Sequence, residues 1–169
     1  PPDLTEICLT LGSEMLVLGK VAGNTGEARQ ILIELLASGK ALAKFKEMVN
    51  AQGGKVEALE DPSQLPTALH IHRVKSPKSG FVESINAALV GKSAMILGAG
   101  RQKKDELVDL AVGVKMIKKV GDRVEVDETL AELHVNNDEK LSEAEKTLIN
   151  AYLFSKSPQE PVPLILDYY

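Results

Sequence analysis

The sequence predicts an α+β chain, with helices gathered at the front and short antiparallel strands behind them. Three observations carry that prediction. Residues 3–51 hold three apolar stripes at three- and four-residue steps, separated by glycine-containing breaks. Residues 110–135 instead alternate apolar and polar on both sides of Gly121-Asp122. Between them, Asp61-Pro62-Ser63-Gln64-Leu65-Pro66 has the composition of a linker and sets a domain boundary.

The first helix is expected over residues 3–20, with Leu4, Ile7, Cys8, Leu11, Met15 and Leu18 as one stripe and Pro2-Asp3 with Glu6 as its start. Cys8 on that stripe reads as a small core residue, since no histidine lies near it in sequence. The Gly23-Asn24-Thr25-Gly26 break resembles a phosphate cradle at a helix start, but it lacks the Lys-Ser/Thr of a P-loop and reads as an ordinary turn. Helices follow over 27–37 and 40–51, the latter carrying Leu42, Phe45, Met48 and Val49. Almost no strand accompanies these helices, although helices draw most of their stability from a packing partner. Either they pack together as a small bundle or the sheet they belong to lies upstream of Pro1; a start at Pro1-Pro2-Asp3 without methionine fits the second better.

Residues 55–59 read as a short strand. Residues 68–75 alternate, with Leu69 and Ile71 on one face and His70 and His72 on the other. A His-x-His pair can chelate zinc, but His134 is the only other histidine, and a solvent-facing or satisfied pair is the reading. A strand at 81–83 precedes a helix over 84–97, broken near Gly91. Ile96-Leu97-Gly98-Ala99-Gly100 imitates a dinucleotide fingerprint, yet Lys103 occupies the place of the third glycine and strand follows where helix is required. Arg101, Lys103 and Lys104 form a solvated basic loop with Asp105 and Glu106 as counter-charges.

In 110–135, Gly121 supplies the positive φ of a tight turn, and Asp122 can bond its own backbone. This Val-Gly-Asp-x-Val turn followed by Leu130-Ala131 resembles the half-barrel of biotinyl and lipoyl carrier domains. Lys115 lies mid-strand before the turn, and Lys140 stands beside a helix start, so neither sits where a carrier lysine belongs. That last helix is expected to run from a Ser142/Glu145 capping box through Leu148, Ile149, Tyr152 and Leu153. In the tail 155–169, residues 155–159 read as a linker and Val162 to Leu166 as one last strand, confined to a sheet edge by Pro161 and Pro163.

Bulk properties exclude several classes. A net charge of −4 gives no basic field for nucleic acid or acidic membrane. One cysteine rules out a disulfide framework, and no apolar run is long enough to span a bilayer. A cytoplasmic protein is the expectation.

Asp3-Leu4-Thr5-Glu6-Ile7-Cys8-Leu9-Thr10-Leu11-Gly12, Leu97-Gly98-Ala99-Gly100-Arg101, Asp109-Leu110-Ala111-Val112-Gly113 and Val120-Gly121-Asp122-Arg123-Val124 together resemble, in order, the pyrimidine-nucleoside phosphorylase and thymidine phosphorylase family. The resemblance covers only the C-terminal portion of those longer enzymes. It implies that residues 1–61 are the last helices of an incomplete α/β catalytic domain. Residues 66–154 would then be an α/β-hammerhead of barrel-sandwich type, and 155–169 a tail. The implied parent reaction is phosphorolysis of a pyrimidine nucleoside to free base and pentose 1-phosphate, with inorganic phosphate as co-substrate. The implied partners are the remainder of the parent, its helical domain and its sheet, in a homodimer. The family's Lys-His-Ser segment, its phosphate loop and its base-gripping Arg, Ser and Lys have no counterpart in these 169 residues. No catalytic, cofactor-binding or metal residue is therefore assigned, and the chain alone is expected to be inactive. A related AMP phosphorylase shares this C-terminal block, and a free-standing carrier or interaction module is the reading from another class.

Overall fold

The computed structural model describes residues 1–101, 103–158 and 163–167. The chain divides into two units, one of residues 1–64 with 162–169 and one of residues 65–161. Helices and small antiparallel sheets make an α+β fold.

The first unit is helical: α1 Pro2–Leu18, α2 Thr25–Ala37, α3 Lys40–Ala51 and a short α4 Glu57–Glu60. α1 meets α2 where side chains are small, around Gly12, Ser13 and Ala28, with Leu9 buried beside them. A Cβ on Gly12 would stand 2.9 Å from Leu32 Cδ1, so glycine is what lets the helices approach. Arg29 adds a two-pronged ion pair across them, its guanidinium donating to both Glu6 oxygens at 3.1 and 2.6 Å. Asn24 caps α2 by accepting from the Glu27 N–H at 2.9 Å, and Glu27 Oε2 accepts from the Gly23 N–H at 2.8 Å. These loop donors are spent on the helix end, as an ordinary turn requires.

Several expectations are corrected in this unit. Cys8 is exposed, not a core residue. Leu42, Phe45 and Met48 of α3 are exposed too. Residues 55–59, expected as a short strand, form none: the helical turn Glu57–Glu60 takes up their second half. α1 begins one residue early, at Pro2, where a proline's missing N–H costs no helical bond.

The described residues of the second unit form six strands: β1 His70–Lys75, β2 Gly80–Ile85, β3 Gly113–Met116, β4 Arg123–Val124, β5 Thr129–Val135 and β6 Tyr152–Ser155. They form two antiparallel three-stranded sheets, ordered β1-β5-β3 and β4-β2-β6. Two helices, α5 Ala87–Ala94 and α6 Leu141–Ile149, complete the unit. Alternation on β5 sends Leu133 and Val135 into a core with Val74, Val82, Val124, Leu130 and Leu148, all fully buried. The buried Ser93 hydroxyl donates to the Ala144 carbonyl at 2.8 Å, tying α5 to α6 without stranding a polar group.

Three expectations are corrected. The helix predicted over 84–97 starts at Ala87, capped by Asn86, and passes Gly91 unbroken; it widens into a π-type turn at Met95–Ala99, where Gly98 has φ 111°. The last helix stops at Ile149, and Tyr152 and Leu153 belong to strand β6 on β2. Its predicted capping box does not form: no side chain caps α6, and Glu145 turns instead toward His72. The described tail residues 163–167 are irregular. Val162 of the proposed edge strand lies outside the described residues.

Candidate functional site

The residues with family-like spacing prove to be a framework. Gly121, at φ 91°, opens a turn that brackets Val82 of β2. Gly121 N–H donates to the Val82 carbonyl and Val82 N–H to the Asp122 carbonyl, both at 2.9 Å. The Asp122 carboxylate closes the turn by accepting from the Lys119 N–H at 2.7 Å. A second turn, with Asp127 at φ 63°, brackets Ser76 in the same way. Asp127 N–H donates to the Ser76 carbonyl at 3.0 Å and Ser76 N–H to the Glu128 carbonyl at 2.8 Å. Lys118 and the Glu125 N–H hold the Glu128 carboxyl below the usual carboxylate range, the lysine most strongly.

Between the turns, the Leu130 carbonyl receives three donors. Ile117 N–H reaches it at 3.0 Å, Lys118 N–H at 2.9 Å and the Tyr152 hydroxyl at 3.0 Å. Burial, then the charge of Asp122, push the Tyr152 hydroxyl up to about 12. Its role is that of a fixed donor, not a proton carrier.

The Gly-Ala-Gly-Arg block and the Asp-Leu-Ala-Val-Gly block meet in space. Asp109 N–H donates to the Gly98 carbonyl at 2.9 Å. The Asp109 carboxylate accepts from the Ala111 N–H at 2.9 Å and from Asn136 Nδ2 at 2.7 Å, and those two bonds, in that order, hold it below its ordinary range. Asn136 Oδ1 in turn accepts from the Leu69 N–H at 2.7 Å. Residues 69, 98, 109 and 136 are thus one knot. The glycines serve a backbone turn, and no dinucleotide pocket results.

The histidines separate. His70 lies opposite Val135 and His72 opposite Leu133, so both share the sheet face that α6 covers. His70 Nε2 is 3.1 Å from Asp138 and His72 Nε2 2.9 Å from Glu145. His134 lies opposite Ile71, on the other face. They are a satisfied pair plus one outlier, and among the described residues no cluster suited to a metal forms. The apolar Leu69 and Ile71 are exposed.

Lys115 lies opposite Glu132 in mid-strand, its Nζ 3.1 Å from that carboxylate, with Arg73 on the far side at 3.8 Å. Lys140 ends a short 3₁₀ turn and lines a shallow cleft with Lys103, Lys104, Asp105 and Glu106. Neither lysine stands at a hairpin tip. In the first unit, Glu6, Thr10, Ser13, Thr25 and Arg29 line a polar cleft of about 300 Å³, but Arg29 is committed to Glu6 there, which holds that carboxyl below its usual range. Among the described residues no helix is long and apolar enough to cross a membrane.

Sequence reading named the glycines of this framework and missed their partners. Asn136 and Tyr152 carry no local signal, because their bonds run to residues 22–67 positions away.

Residues 81–155, from β2 to the end of β6, match the family model described as the pyrimidine nucleoside phosphorylase C-terminal domain. The two clasping turns, the 98–109 knot and the Tyr152 anchor all involve that block, and it defines the chain as carrying a phosphorylase C-terminal domain. The chain is 45% identical over 139 residues to the pyrimidine-nucleoside phosphorylase of Staphylococcus epidermidis. It is 47% identical over 138 residues to that of Bacillus subtilis and 45% over 139 to that of Staphylococcus aureus. The chain therefore belongs, as a C-terminal portion, to the pyrimidine-nucleoside phosphorylase family. Each match takes in 82% of this chain, which spans about a third (32%) of the length of the curated relatives it matches.

Proposed function

We propose that this chain is the rear portion of a pyrimidine-nucleoside phosphorylase and braces a catalytic pocket built by the portion ahead of it. The parent would be a pentosyltransferase: inorganic phosphate attacks the anomeric carbon of a pyrimidine nucleoside, the bond to the base breaks, and free base and pentose 1-phosphate leave. The observation that carries this reading is 45–47% identity to proteins of that name over 82% of the chain.

In this reading residues 1–61 are the last helices of the α/β domain, 66–154 an α/β-hammerhead, and 155–169 its tail. Two turns that clasp Val82 and Ser76 in the same manner support a barrel-sandwich, which is built from two similar halves. The catalytic groups lie in the preceding portion, which would also hold the phosphate. A cytoplasmic homodimer is the proposed state of the parent.

The exposed apolar side chains of the first unit support a missing companion. Leu4, Leu11, Met15, Leu18, Leu36, Leu42, Phe45 and Met48 are all exposed. Full burial of such a side chain is worth about 1.5–3 kcal/mol, so leaving several in water forfeits an amount comparable with a domain's whole stability of roughly 5–15 kcal/mol. The carrier alternative loses ground, because Lys115 is ion-paired in mid-strand and Lys140 ends a 3₁₀ turn.

The test is a phosphorolysis assay on uridine, thymidine and AMP. It compares the 169-residue chain with a full-length chimera carrying the preceding part of the Bacillus subtilis relative. The chimera should cleave uridine or thymidine while the chain alone does nothing. Turnover by the chain alone would defeat the proposal, and AMP cleavage by the chimera would move it to the nucleotide enzyme.

A further inference from the structure

We draw no further inference here: the strongest candidate, the exposed apolar patch of Leu69, Ile71, Leu107 and Leu110 beside the Asn136–Asp109 knot of the second unit, carries none because nothing in the structure shows what covers it.

Discussion

The Tyr152 hydroxyl donates at 3.0 Å to the Leu130 carbonyl, which already accepts the N–H groups of Ile117 and Lys118. One oxygen thereby joins β6, β5 and the segment leading from β3 into the Gly-Asp turn. The tyrosine ring is buried and stacks on Phe154 at 6.0 Å, so the position is fixed by packing as well as by the bond.

Tyr152→Phe should destabilise the second unit by about 1 kcal/mol, the low end for a lost hydrogen bond, because the carbonyl keeps two donors. The substitution also carries a pH signature. The hydroxyl is raised to about 12 in the fold, against about 10 unfolded. Its contribution is complete below about pH 10 and is lost as pH rises toward 12. Urea midpoints from pH 8 to 12 should fall more steeply above pH 10 for wild type than for Tyr152→Phe. Parallel curves would refute the assignment.

Asp109 gives the opposite sign. Its carboxyl is held below the ordinary range by the Ala111 N–H and by Asn136. The stability it adds is present above about pH 4 and is lost as pH falls through its lowered value. Asp109→Asn should therefore melt below wild type at neutral pH, and the gap should close in acid. A gap of constant size from pH 7 to 3 would rule the knot out as its cause.

Two glycines should respond in opposite directions. Gly121, at φ 91° with open space around its Cβ position, would be strained by backbone alone, so Gly121→Ala should cost about 1–2 kcal/mol. Gly91 sits inside α5 with nothing near its Cβ position, so Gly91→Ala should stabilise by about 0.5–1 kcal/mol. Chemical denaturation of the pair reads both. Equal effects would contradict the local geometry.

Leu148 is fully buried in the core of the second unit, whereas Leu18 at the end of α1 is 80% accessible. Leu148→Ala should cost about 2–5 kcal/mol through lost burial and the cavity left behind. Leu18→Ala in the isolated chain should stay within roughly 0.5 kcal/mol of wild type, as surface substitutions do. A large loss for Leu18→Ala would mean that something already covers this end of α1.

The isolated chain should also bind a hydrophobic dye or self-associate, as proteins with large exposed apolar patches do. Substitution of Leu11 and Met15 by serine should lower the dye signal. No signal from wild type would argue against the missing companion.

Local chemistry in the sequence determined a good deal. The period-two pattern around Gly121 defined short strands and a tight turn, because alternation along β5 puts Ala131, Leu133 and Val135 on one buried side. The spacing of Leu4, Cys8, Leu11, Met15 and Leu18 defined an amphipathic helix, and the missing glycine at 103 excluded a dinucleotide loop. Tertiary structure decided the rest. It turned Tyr152 and Leu153 from helix to strand, since pairing with β2 outweighs helical propensity once both strands lie side by side. It drew Glu145 away from a capping box to His72, 73 residues distant. It also left Leu4, Leu11, Met15 and Leu18 of α1 exposed, which periodicity alone cannot foretell: a stripe records that a residue is fit for burial, and only the assembled chain says whether anything lies against it.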